Sequence, residues 1–173
     1  METLSFGIEV VHDKEKLKDL ITKLVEEFHQ PTLVEQFIPG RKFAVGLLGN
    51  RDPEVLPILE IDLEGDPNAI QSLDDKLKKP INKICSANLG NKLAEEIRRL
   101  TRETFKVLGI YDFCRVDYRM DDKGNLYILE LNSMASLGVT GSYVNAAKVA
   151  GYSYESMVNR MLDVAVERYF GSQ

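Results

Sequence analysis

Four polar residues in this chain are placed to do chemistry together: Arg115, Asp117, Glu130 and Asn132. They lie in two apolar-rich runs separated by Asp122-Lys123-Gly124-Asn125, a string whose residues favour a tight turn. With Lys123 and Gly124 as the central turn residues, antiparallel pairing sets Asp122 against Asn125, Asp117 against Glu130 and Arg115 against Asn132. Opposed residues share a face and side chains alternate along a strand. One face then carries Arg115, Asp117, Glu130 and Asn132; the other carries Val116, Tyr118, Leu129 and Leu131 as a core face. Opposed carboxylates are unfavourable unless something cationic lies between them. Two carboxylates and an amide are oxygen ligands that suit a hard cation, Mg²⁺ above all, with water or phosphate completing its shell. A second reading stays open on the residues alone: a solvated sheet face with an Arg–Asp pair, because a one-residue slip would turn every side chain over.

Something must hold that hairpin. The clearest element is a helix over Asp13–Phe28, capped by Asp13, with Leu17, Leu20, Ile21, Leu24, Val25 and Phe28 on one stripe and Pro31 beyond its end. Thr32–Phe37 reads as a strand, Pro39-Gly40 as a turn and Lys42–Leu48 as the partner strand. A further strand spans Val55–Leu63, with Pro57 marking an edge or a start. The polar stretch Glu64–Asn88 reads as a long loop or flap, and structureless loops above ~15 residues are commonly functional. A helix over Lys92–Leu108 turns Leu93, Ile97, Leu100, Thr104 and Leu108 inward and ends at Gly109. After the hairpin come a loop over Ser133–Gly141, a short helix to Ala150, and a last helix capped by Ser153 that uses Val158, Met161, Leu162 and Ala165. Helices and antiparallel strands without βαβ alternation make an α+β domain rather than a Rossmann-type sheet.

Composition narrows the partners. At 173 residues the chain holds one domain with a real core, and its net charge of −5 argues against nucleic acid bound through its phosphates. No apolar run approaches the ~20 residues that span a bilayer. The N-terminal residues lack the basic and apolar regions of a signal peptide, so a cytoplasmic location is expected. Two widely spaced cysteines, Cys85 and Cys114, and two histidines, His12 and His29, argue against a zinc site. The cysteines read as packed thiols, the histidines as surface residues, and Tyr152, Tyr154 and Tyr169 as packing groups.

Taken in order, the segments resemble the ATP-grasp domain of the D-alanine–D-alanine ligase family, from Leu4 to about Arg168. Leu33-Val34-Glu35-Gln36-Phe37-Ile38-Pro39-Gly40-Arg41-Lys42-Phe43 resembles its adenine-hinge strand and turn. Cys85-Ser86-Ala87-Asn88-Leu89 resembles its Cys-Pro-Ala-x-Leu signature. Arg115-Val116-Asp117 and Leu129-Glu130-Leu131-Asn132 resemble its metal-binding strands, and Gly151-Tyr152-Ser153-Tyr154 its C-terminal end. The resemblance implies that Asp117, Glu130 and Asn132 hold Mg²⁺ (or Mn²⁺) bridging the phosphates of ATP, with Arg115 as the catalytic cation beside the transferred phosphate. Glu35 would accept from the adenine amino group, with backbone groups near Phe37 and Ile38 reading the ring edge. Ser5 and Gly7 match the end of a phosphate-cradling loop, and Lys76 in the flap matches a lysine that reaches the γ-phosphate.

Departures from the family pattern bear on function. Lys42 stands where the family has a ribose-gripping glutamate, and a lysine cannot accept those hydrogen bonds. In the loop Ser133–Ser142 the family's Pro-Gly pair and acceptor-binding serine are not matched: without a gap the glycine falls on Ser136 and the serine on Gly141, with Ser142 one place away. The family's phosphate-binding lysines and first-substrate domain would precede Met1. The resemblance therefore implies a partial ATP-grasp domain over 1–173, the C-terminal piece of a carboxylate–amine ligase that proceeds through an acyl phosphate. It would be a poor catalyst alone and would need the N-terminal portion of the same enzyme, ATP and small amino-acid-like substrates; a homodimer is compatible. A degenerate grasp module that only binds or assembles, and a ligase joining other amino acids or peptides, are the alternatives.

Overall fold

A computed structural model of the chain describes residues 8–66, 69 and 82–171. Helix α1 runs Lys14–Phe28; Asp13 caps it by accepting from the Glu15 N–H at 2.9 Å, and His29 ends it in the left-handed region. The expected stripe is present, but no residue of α1 is fully buried. The expected strand Thr32–Phe37 is not a strand, because an extended segment becomes one only by pairing and no described residue is laddered to it.

The sheet is antiparallel. Its strands are β1 (Arg41–Leu48), β2 (Glu54–Val55), β3 (Leu59–Ile61), β4 (Lys83–Cys85), β5 (Phe113–Met120) and β6 (Leu126–Asn132), in the order β4-β3-β1-β5-β6 with β2 paired to β1. The strand expected over Val55–Leu63 is thus two short ones, divided around Pro57, which has no N–H for a ladder. The expected flap contributes β4 at its end, paired with β3.

Helix α2 (Asn91–Val107) covers one face, burying Ile97, Thr101 and Phe105. Beneath it lie Phe43, Val45, Leu47, Ile58, Cys114, Val116 and Tyr118. Thr101 and the Tyr118 hydroxyl satisfy each other at 2.8 Å inside this core. The short helix α3 (Ser142–Val149) and the last helix α4 (Tyr154–Phe170) close part of the opposite face around Leu48 and Leu56. Gly46 marks the closest approach: a Cβ there would lie 2.8 Å from Leu56 Cδ1 and 3.0 Å from the Tyr143 ring. Helix α4 buries Met157, Met161 and Val164, while Val158 and Leu162, expected inside, are exposed.

Candidate functional site

Strands β5 and β6 meet in the expected register where it matters. Arg115 opposes Asn132, Val116 opposes Leu131 and Asp117 opposes Glu130. Between Asp117 and Tyr118 the register shifts, so Tyr118 pairs with Ile128 and Met120 with Leu126. The extra residue is Leu129, which is 49% exposed rather than part of the core face. The turn differs to match: Asp121, not an Asp122–Asn125 pair, organises it by accepting from the Lys123 and Asn125 N–H groups at 3.0 and 2.8 Å. A bulge absorbs the residue that a strict two-residue hairpin leaves no room for.

On the site face the Arg115 guanidinium holds Asp117 with two hydrogen bonds, Nε to Oδ1 at 2.7 Å and Nη2 to Oδ2 at 2.8 Å. Asp117 is only 5% exposed, so this is a shielded pair rather than a solvated one. Asn132 donates from Nδ2 to Glu130 Oε1 at 3.2 Å. That leaves its amide oxygen as a ligand atom beside two carboxylates. All four candidate residues therefore come together, and among the described residues no cluster of three His, Cys, Asp or Glu side chains offers a rival metal site.

The same alternation carries one residue that the sequence reading passed over. Arg119, two places after Asp117, is 5% exposed and lies directly across from Lys42 on β1. Its guanidinium donates to the Gly40 carbonyl at 2.8 Å and the Ala69 carbonyl at 2.6 Å, and lies 5.1 Å from the Phe37 ring centre. Burial lowers its pKa from the usual arginine value, and two backbone carbonyls accept hydrogen bonds from its guanidinium. The period-two spacing Arg115, Asp117, Arg119 was the signal that could have found it. Through Arg119 the hinge segment around Phe37 and Gly40 is fixed to the strand that bears Asp117. Phe37 and Ile38 are half-buried beside the sheet, and Glu35 is exposed. Ser5, Gly7 and Lys76 lie outside the described residues.

Two further features fix the surroundings, the first on the α2-covered face of the sheet and the second on the site side. Arg41 clamps Glu60 on β3 through Nε and Nη2, both at 2.7 Å, and donates to the Asn88 carbonyl at 3.0 Å. Beyond β6, the loop 133–141 closes with the Gly141 N–H on the Gly138 carbonyl at 2.7 Å, and Lys83 on β4 donates to the Thr140 carbonyl. A Cβ at Gly141 would lie 2.9 Å from the Gly138 oxygen and 3.1 Å from the Ser136 oxygen. No serine fits at that position.

A family model described as D-ala D-ala ligase C-terminus matches residues 2–163. A Sinorhizobium fredii protein, itself uncharacterised, is 39% identical over 173 residues, which is 99% of this chain and 52% of that one. The D-alanine–D-alanine ligase of Carboxydothermus hydrogenoformans is 32% identical over 168 residues, covering 96% of this chain and 53% of the ligase. Among solved structures, the Bacillus anthracis D-alanine–D-alanine ligase in complex with ATP superposes with a TM-score of 0.74 at 18% identity, over 94% of this chain and 50% of that one. The chain spans about half the length of the relatives it matches. With the family model matched over most of its residues, the chain belongs to the D-alanine–D-alanine ligase C-terminal family and carries the ATP-grasp fold.

Proposed function

We propose that this chain is the nucleotide- and Mg²⁺-binding part of an ATP-dependent carboxylate–amine ligase. The observation that carries the reading is the register that sets Asp117 against Glu130 and Arg115 against Asn132, with Asp117 shielded. Asp117, Glu130 and Asn132 would hold the ion, since their donor atoms are oxygens in the number a hard cation takes from protein when phosphate and water complete its shell. Bound there, Mg²⁺ would neutralise the phosphates. Arg115, already fixed in the plane of Asp117, keeps a preoriented positive charge at the place where phosphoryl and acyl transfer develop negative charge. Glu35, Phe37 and Ile38 would take the adenine, with the hinge held by Arg119. Ser5, Gly7 and Lys76 would contribute on the phosphate side. In the complete enzyme a carboxylate would attack the γ-phosphorus of ATP and expel ADP, and an amine would then displace phosphate from the acyl phosphate, forming the amide and releasing a proton. Titration calorimetry with a non-hydrolysable ATP analogue and Mg²⁺ tests this: Asp117→Ala and Glu130→Ala should each weaken binding by about tenfold or more. Binding that neither substitution weakens would refute the metal assignment.

A second reading draws on Lys42 and Gly141. Lys42 lies across from Arg119, a cation where the resemblance expects a ribose-gripping carboxylate, and Gly141 leaves no room for the expected acceptor serine. Both favour either a ligase for other amino acids or peptides, or a grasp module that binds without turning over. Release of ADP on supplying the N-terminal portion and an amino-acid panel supports the ligase; nucleotide binding with no release supports the module.

A further inference from the structure

Rows of opposed residues run across the sheet, and on the site face two adjacent rows carry opposite charge. One row, read from β4 to β6, is Cys85, Leu59, Ala44, Asp117 and Glu130. It holds both candidate metal carboxylates and no cation. The next row is Lys83, Ile61, Lys42, Arg119 and Tyr127. It holds three cations and no carboxylate. On β1 and β5 the two rows lie two residues apart, about 6.8 Å along the strand. Both are on the face away from α2, since Phe43 and Val45, which alternate with Lys42 and Ala44, lie beneath that helix.

Lys42 and Arg119 oppose each other directly. Like charges so placed repel, and whatever else each side chain touches, an anion laid along the row relieves the repulsion. Arg119 has little latitude: it is almost fully enclosed, and its guanidinium donates to the Gly40 and Ala69 carbonyls. Lys42 is half-buried and carries its charge on a flexible four-carbon stem with three donors at the tip. Of the two, Lys42 is the one able to turn toward a ligand at the neighbouring row.

We propose that Lys42 binds the α-phosphate of the nucleotide, and that the sugar beyond it lies over groups that cannot tell ribose from deoxyribose. This rests on the nucleotide reading above, with the outer phosphates at Asp117 and Glu130 and the base at Phe37 and Ile38. Arg119 joins the cation row to that hinge, its guanidinium lying beside the Phe37 ring. The α-phosphate and sugar then span from the carboxylate row to the hinge, across Lys42. A site that selects ribose accepts a hydrogen bond from a sugar hydroxyl, and the acceptor left unpaired is what penalises the deoxy analogue. Lys42 and Arg119 are donors only, and Ile61 has no polar side-chain atom. The Tyr127 hydroxyl is directed to Asp121 Oδ2 at 3.2 Å. A lysine that loses a sugar oxygen turns its ammonium to the phosphate or to water, so nothing is stranded. The chain thus recognises a nucleoside triphosphate by its phosphates and base, with ribose and deoxyribose alike.

Titration of the full chain with Mg²⁺ and either ATP or 2′-deoxy-ATP tests this. The two dissociation constants should agree within about threefold, far less than a site that hydrogen-bonds the missing hydroxyl produces. Lys42→Gln should weaken both nucleotides equally, by about tenfold, the worth of one charge-assisted hydrogen bond. Lys42→Arg should keep most of the affinity. The thermal midpoint of Lys42→Gln without nucleotide should not fall, which separates the loss of a ligand contact from the loss of structure. A preference for ATP beyond threefold, or a Lys42→Gln chain that binds both nucleotides as the parent does, would overturn the proposal and leave the nucleotide reading standing. ATP that does not bind, or that binds regardless of Asp117→Ala and Glu130→Ala, would remove that reading and this inference with it.

Discussion

The pair formed by Arg115 and Asp117 makes opposite demands on one carboxylate. The guanidinium occupies both oxygens of a side chain that is almost fully enclosed, and removing one partner of such a pair leaves a shielded charge uncompensated, at a cost of about 3–5 kcal/mol. Arg115→Ala should therefore lower the denaturant midpoint sharply. It should also make the midpoint depend on Mg²⁺, because the ion would then supply to Asp117 the positive charge that Arg115 had supplied. Chelation of divalent ions should then cost the variant more stability than it costs the parent chain, and equal loss in both would count against a metal at this site.

Buried thiol and phenol groups bring about an alkaline limit. Burial pushes the Cys114 thiol from 9.0 up to about 12, and the Tyr118 hydroxyl likewise rises to about 12. The folded chain holds these protons more tightly, so their contribution is complete below about pH 9 and is lost as pH rises towards 12. Urea midpoints should be level from pH 7 to 8.5 and fall above about pH 9. Cys114→Ala should flatten part of that fall.

The sheet and its connections decide what these residues can reach. Arg119 joins three pieces of chain, the hinge at Gly40, the backbone at Ala69 and β5 itself. Arg119→Met keeps the bulk but strands two carbonyl acceptors, so a loss of about 1–3 kcal/mol is expected by thermal or urea unfolding. Protease sensitivity should rise near residue 40. A variant as stable and as resistant as the parent would show that the hinge is held by other contacts. At the other end of the same face, Gly46→Ala must displace Leu56 or the Tyr143 ring, whose hydroxyl is tied to the Leu47 carbonyl at 2.9 Å. Over-packing of this kind costs about 1–3 kcal/mol, and circular dichroism melts will register it as a lower midpoint with the fold retained.

At the scale of the molecule, two helices carry apolar rows that the chain does not bury. On α1 the row includes Val25 and Phe28, and on α4 it includes Leu162 and Phe170. The curated relatives are about twice as long, and the matched model describes their C-terminal part. Co-expression with the N-terminal half of such a relative should protect α1 amides from hydrogen exchange and raise nucleotide affinity. Protection of neither helix would show that these rows are not where the N-terminal half docks.

The sequence by itself determined the helix limits, the α+β class and the four-residue polar face. These depend on local chemistry: an Asp cap at 13, a Ser cap at 153, glycine-bearing turns, and a strand period of two. Where the pattern was local it held, as at Asp117 against Glu130. Tertiary structure alone decided the rest. It placed the bulge that exposes Leu129, because one strand had to absorb a residue that its partner lacks. It left Thr32–Phe37 unladdered, because a strand needs a neighbour that no residue within it can supply. It also turned Met157 and Val164 inward on α4 in place of Val158 and Leu162. Both rows have helical spacing, and only the position of the sheet could choose which of them became the core.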